Sequence, residues 1–134
     1  MPSLNPSPEQ LADFAASMPS GVPNLMLNLL RYNDQATYPP GSQHSPCSGR
    51  EAYARYSRVA LPKVQASGGA VEVRTKAHAA LIAPPDEQWD DIMLVSYPSK
   101  EAFLAMIGDS DYQAAAEHRS AALADSRLIG TTRY

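Results

Sequence analysis

Two stretches of this chain are apolar on both faces of an extended backbone. In residues 91 to 97, DIMLVSY, Ile92, Leu94 and Ser96 alternate with Met93, Val95 and Tyr97. Side chains of a strand point to opposite faces with a period of two, so a strand with this pattern needs cover on both sides and belongs in the middle of a sheet. Residues 24 to 31 repeat the pattern, with Leu25, Leu27 and Leu29 opposite Met26, Asn28 and Leu30. Asn28 is the one polar exception. Val71 to Ala83 also alternates, but Glu72, Arg74, Lys76 and His78 make the first half of one face polar, which predicts an edge or half-exposed strand ended by Pro84 and Pro85. Ser126 to Arg133 supplies a last strand.

Between these strands the period changes to that of a helix. A Ser followed three residues later by Glu or Gln is the signature of a reciprocal cap, and it occurs at Ser7 to Gln10, Ser48 to Glu51 and Ser110 to Gln113. The first has Pro8 at the opening helical position and predicts a helix over about residues 8 to 17, ended by Pro19 and Gly21. From Ser48 a helix to about Ser67 puts Tyr53, Tyr56, Ala60 and Val64 on one stripe, with Pro62 inside it and Gly68 and Gly69 beyond. Ser99 caps a helix carrying Phe103, Met106 and Ile107. The helix from Ser110 to about Ala124 aligns Tyr112, Ala115, Ala116, Arg119, Ala122 and Leu123 on its inward face. Residues 32 to 47 hold three prolines and a glycine without any period, a loop long enough to cover a pocket.

After the first helix the order is β α β β α β, which under short connections and right-handed crossovers gives a four-stranded antiparallel sheet with helices on one face. The other face stays apolar and bare. That predicts a homodimer with the two sheets packed face to face.

Composition removes several function classes. The 134 residues suit one domain, and 44% hydrophobic with 19% charged residues is a folding composition. A formal charge of −3 with eleven scattered Lys and Arg argues against nucleic acid. No apolar run approaches the roughly 20 residues that span a bilayer, and no basic-then-apolar leader opens the chain. The single cysteine, Cys47, has no internal partner, so a cytoplasmic location is expected.

The segments MLNLLRYN, SGREAYARY, the Gly68 and Gly69 pair, WDDIMLVSYPSKEAF, DYQAAAEHR and ALADSRLIGT occur here in that order. As an ordered set, over about residues 25 to 131, they resemble the DUF1330 family of the dimeric α+β barrel superfamily. The resemblance implies an α+β, ferredoxin-like fold that dimerises, with residues 1 to 23 as an N-terminal helical extension and 24 to 134 as the barrel domain. It brings no reaction of its own. The wider superfamily holds cofactor-independent oxygenases, isomerases, dehydratases and haem-degrading enzymes, and a shared fold does not transfer function.

Candidate chemistry centres on Arg119 and the adjacent His118. A guanidinium on an inward stripe must find a carboxylate, from a ligand or from the protein itself, where Asp90, Asp91 and Asp109 are the candidates. His118 is a candidate general acid or base, or a structural histidine. Neighbours on a helix point about 100° apart, so the two need not share a cavity. Asn28 is suited to orienting a ligand carbonyl or to bonding a neighbouring strand. Tyr53, Tyr56 and Tyr97 line a cleft or fill the core. His44, Cys47, His78 and His118 lack the local ligand pairs of a metal site, and no glycine-rich turn opens a helix as a phosphate loop does. Cys47, just ahead of a helix start, is a nucleophile or incidental.

The expected function is binding of a small anionic or carbonyl compound in a pocket between sheet and helices, roofed by the 32 to 47 loop. Arg119 would hold the anion, His118 would move a proton, and Asn28 with Tyr56 would orient the polar end. No cofactor is expected, and the chemistry would be isomerisation, dehydration or oxygenation. The alternative is a non-catalytic homodimeric module.

Overall fold

The computed structural model describes residues 2 to 134. Its elements are α1 (Pro8–Ser17), β1 (Asn24–Tyr32), α2 (Gly49–Ala66), β2 (Ala70–Lys76), β3 (Asp91–Tyr97), α3 (Lys100–Ile107), α4 (Ser110–Ala122) and β4 (Leu123–Thr131). The strands form one antiparallel sheet in the order β2-β3-β1-β4. The two doubly apolar strands pair in the middle, Asn24 opposite Tyr97 and Leu30 opposite Asp91.

Burial separates the two faces of that pair. Met26, Leu30, Met93, Val95 and Tyr97 are buried under the helices and join Tyr53, Val64, Phe103, Met106 and Leu123 in the core. Leu25, Leu27, Leu29, Ile92 and Leu94 point the other way and stay half-buried, since no helix covers them. α2 and α4 pack together over the first face, and small side chains at Ala52, Ala115 and Ala122 allow a close approach.

Three expected boundaries shift, each for a local reason. The second strand ends at Lys76 instead of Ala83, because its partner begins at Asp91 opposite Lys76 and Ala77 makes a last bond to the Asp90 carbonyl. Beyond it Leu81 and Ile82 are 97% and 95% exposed, so alternation alone did not make a strand where no neighbour offers hydrogen bonds. α4 is capped by Asp109, whose carboxylate accepts from the Tyr112 N–H, and Ser110 is its first helical residue. α4 stops at Ala122 and β4 starts at once, because Leu123 and Asp125 pair with Tyr32 and Arg31 of β1. The reciprocal cap is complete at Ser7 and Gln10. At Ser48 the hydroxyl accepts from the Glu51 N–H while the Glu51 carboxylate turns to Arg58, 3.2 Å away.

The start of α2 is pinned between the loop after β1 and the end of α4. Gly49 is buried, and a Cβ there would lie 2.1 Å from the Asn33 carbonyl oxygen and 2.7 Å from that of Ala122. Both obstacles are backbone and can yield only by moving the α2–α4 contact. Gly49→Ala is therefore expected to lower stability by about 1 to 3 kcal/mol, as overpacking does, in a urea titration. An unchanged midpoint would show that the α2 start is not held this tightly.

Candidate functional site

α2 and α4 do not fill the space above the sheet. Between them, the sheet and the N-terminal segment lies a cavity of about 1270 Å³. Its floor is Met26, Asn28, Met93, Val95 and Tyr97 from the two central strands, its walls are Tyr53, Tyr56, Tyr112 and Arg119, and its cover is residues 3 to 15 with α1. The expected pocket roof, residues 32 to 47, lies elsewhere: its Asn33 and Thr37 N–H groups donate to the Ala122 and Ala121 carbonyls at the end of α4, on the outer side of the helices. The N-terminal segment takes the roofing place through side-chain contacts that no sequence period announces. The Ser126 hydroxyl donates to the Ser3 carbonyl, the Ser3 N–H to Asp125, and Lys100 to the Ala15 and Met18 carbonyls at the end of α1. Gly130 lets α1 approach, for a Cβ there would stand 2.7 Å from the Phe14 ring.

Arg119 lines this cavity and donates through Nη1 to the Leu4 carbonyl at 2.8 Å. Among the described residues no carboxylate lies within ion-pair distance of it, and each expected partner is engaged elsewhere. Asp91, 5% exposed, accepts from Arg74 at 3.1 Å and from the Tyr32 hydroxyl at 2.7 Å, with Arg50 at 3.9 Å. Asp109 pairs with Lys63 at 3.0 Å, and Asp90 accepts from the Tyr32 N–H. The internal ion pair expected as one reading of Arg119 is therefore absent. Two other arginines reach the lining, Arg74 and Arg127, and both are already neutralised, Arg127 by Asp125 at 2.8 Å.

The phenols beside Arg119 are held protonated. Burial pushes Tyr53 up to about 12, partly opposed by the nearby Arg119 charge. Burial raises Tyr56 well above the ordinary tyrosine value, with Tyr112 and Tyr53 adding to the effect, and its hydroxyl lies 2.7 Å from that of Tyr112. Burial likewise raises Tyr97. Asn28 donates to the Met26 carbonyl at 3.3 Å and shows its remaining polar surface to the cavity. A smaller cleft of about 340 Å³ adjoins at the β2 side and shares Tyr53, Ser57, Leu61 and Arg74 with the large one, with Arg50 and Arg58 at its rim.

His118 is not part of the lining. Its Nδ1 lies 2.6 Å from the Tyr38 hydroxyl, its ring packs tilted against His44 with centroids 4.4 Å apart, and Arg55 donates to the same Tyr38 oxygen at 3.2 Å. This cluster ties the 33 to 47 loop to the outer side of α2 and α4. The adjacent pair thus diverges as helix geometry allows, and the proton-moving role expected of His118 on a ligand held by Arg119 has no path in this arrangement. Cys47 belongs to the same loop, half-buried, with its carbonyl accepting from the Ala36 N–H. Arg31 is exposed at the end of β1, and Trp89 stacks under Arg127. Among the described residues no group of three or more His, Cys, Asp or Glu stands together as a metal site, and no helix is long and apolar enough to cross a membrane.

Burial holds the His118 imidazole below its ordinary value, with His44 and Arg55 acting the same way and Glu117 opposing. The unfolded chain accordingly takes up a proton near about pH 6.5 that the folded chain refuses. Stability falls as the pH drops through that value toward the depressed folded one, then levels. Thermal melts from about pH 8 to about pH 5 should show this slope in the wild type and a shallower one in His118→Gln. Equal slopes would dismiss the histidine as the source.

The methylated RPA0582 protein has a solved structure that matches 99% of this chain and 96% of its own, at 40% identity and a TM-score of 0.91. A structure of RPA0582, a protein of unknown function from Rhodopseudomonas palustris, matches at 39% identity and 0.90, covering 100% of this chain and 98% of that one. A dimeric ferredoxin-like protein of unknown function from Thermobifida fusca is similar at 18% identity and 0.50, over 84% of this chain and 92% of that one, which bears on the fold alone. No functionally curated protein matches. The family model described as a domain of unknown function, DUF1330, matches residues 44–130. With that match over more than half its length and a ferredoxin-like α+β fold, the chain belongs to the DUF1330 family.

Proposed function

We propose that this protein binds a small organic anion or carbonyl compound in the cavity beneath α1, with Arg119 as the anchor. One observation carries the reading: a guanidinium faces the cavity with no carboxylate opposite it, although every other cavity arginine has one. A half-buried charge of this kind is stabilised when a ligand supplies the missing anion. The neutral phenols of Tyr53 and Tyr56 add hydrogen-bond donors, and Asn28 offers a polar group on the floor. The same donors would stabilise an enolate-like oxyanion, which is the form that catalysis at this site would take. The lining, among the described residues, holds no Asp, Glu or His to serve as a base, and that favours binding over proton transfer.

The test is a thermal-shift screen of organic acids and carbonyl compounds against the wild type and Arg119→Gln. A ligand at about a hundred times its dissociation constant adds roughly 2.7 kcal/mol and should raise the midpoint by several degrees. Arg119→Gln strands no buried carboxylate, so it should stay folded and lose the response. A response that survives the substitution would refute the anchor, and a collapse of the unliganded variant would mark Arg119 as structural instead.

The protein acts as a homodimer in this reading. Leu25, Leu27, Leu29, Ile92 and Leu94 form an apolar sheet face without a helical cover, and a strip of that kind is protected by a second copy. The Thermobifida fusca protein of similar fold is described as dimeric. Light scattering should give twice 14.5 kDa for the wild type and a single chain for Leu27→Asp. A monomeric wild type at micromolar concentration would exclude this assembly. The free Cys47 fits a reducing compartment such as the cytoplasm.

A further inference from the structure

The size and wall chemistry of the cavity say more about its occupant than the anchor does. About 1270 Å³ exceeds the roughly 300 to 1,000 Å³ of ordinary ligand pockets, and a carboxylate with a few carbons would leave most of it unfilled. Away from Arg119 the surface is mostly apolar. Leu11, Leu61, Val71 and Leu128 are large hydrophobic residues between 39% and 47% exposed, and all four lie on its boundary. Exposed apolar groups scattered singly need no explanation, but here they gather around one opening.

The cover has the same character. α1 is amphipathic, is fully capped at its N-terminus, and yet has no buried residue. Its Leu11, Phe14 and Ala15 front the cavity, so this helix lies over a space that its apolar face does not fill. Charge sets the other limit. Arg74 and Arg127 are paired with Asp91 and Asp125, which leaves, among the described residues of the lining, one uncompensated cation and room for one anionic group.

We propose that the occupant is a bulky, mostly apolar monocarboxylate, its head at Arg119 and its hydrocarbon body lying between the methionine floor of Met26 and Met93 and the underside of α1. This inference rests on the anion-binding reading above and names its ligand class. The Leu4 carbonyl, which accepts from one Arg119 N–H, leaves the remaining guanidinium donors for the head group. The body dries the apolar rim and adds apolar contact along α1 beyond the one that Phe14 makes with Phe103. The dominant gain is burial of hydrocarbon, so affinity should follow chain length more steeply than it follows head-group chemistry.

The experiment is a calorimetric titration of the full-length protein with straight-chain carboxylates from butanoate to dodecanoate, and with decan-1-ol as the uncharged control. Affinity should rise roughly fourfold per added methylene, at one molecule per protomer, with decanoate at least about tenfold tighter than decan-1-ol. Arg119→Gln should erase the preference for acid over alcohol and keep the dependence on length. Leu11→Asp, at a residue 39% exposed and hence compatible with folding, should weaken decanoate about tenfold or more and leave butanoate unchanged. Affinity independent of length, with short acids still lost in Arg119→Gln, overturns this ligand class and spares the anion site. Length dependence without any preference for the acid overturns both, and so does the failure of every carboxylate to bind.

Discussion

Everything in this fold depends on a pair of strands that is apolar on both faces and has only one layer of helices. β1 and β3 could not be an edge, because each face would then meet water. Their pairing fixes which residues look up at the helices and which look down. The upward face is covered by α2 and α4, whose alanine contact brings them together but whose tyrosines hold them off the sheet. A helix pair is narrower than a four-stranded sheet, and the uncovered width becomes the cavity. α1 and the preceding residues then serve as the third cover, fastened at their two ends by hydrogen bonds and between them by Leu4 on Arg119 and Phe14 on Phe103.

The second constraint is the allocation of charge. Asp91 is buried at the end of a central strand, where a lone carboxylate would be costly, and it is met by Arg74 from the neighbouring edge strand and by the Tyr32 hydroxyl. Asp109 is held below its ordinary value, first by Lys63 and then by the Tyr112 N–H that it caps. Asp125 also sits low, because the Ser3 and Ser126 N–H groups and Arg127 outweigh the effect of its burial. These pairings use the nearby acids locally. Arg119 projects from the last turn of α4, with the cavity in front of it and none of these acids within ion-pair distance.

This division also explains what the sequence made legible. Strands 24 to 31 and 91 to 97, and the helices between, could be read from alternation, stripes and caps, because those signals arise from backbone geometry acting over a few residues. Residues 77 to 83 alternate just as well, but a strand needs a neighbour, and β3 starts too late to provide one. Asp109 outcompeted Ser110 as the cap by one position, a choice the pattern alone leaves open. Arg119 was placed on the cavity side by its stripe. The direction taken by His118 followed from the 100° step only once the loop carrying Tyr38 and His44 had a location. The least legible part was the cover, since α1 is joined to the sheet by a few contacts between residues up to 123 positions apart, and a short amphipathic helix does not reveal what it will face.

What remains is the chemical sense of the lining. At neutral pH a phenol raised to about 12 keeps its proton, so Tyr53 offers an O–H, as does Tyr56, whose value is also raised. Tyr56 and Tyr112 share one hydrogen bond between their hydroxyls, and only one of the two protons is consumed in it. The Arg119 guanidinium has donors and no acceptor. The polar end of the cavity therefore offers a cation and several O–H groups, which suits an acceptor head group better than an amine. A group with several lone pairs and no proton of its own, a carboxylate above all, satisfies these donors without leaving one of its own groups unmatched. Most of the rest of the wall is hydrocarbon, with Ser57, Arg74, Gln113 and Arg127 among the exceptions. An acceptor head on an apolar body is the shape of ligand for which every part of this surface has a counterpart.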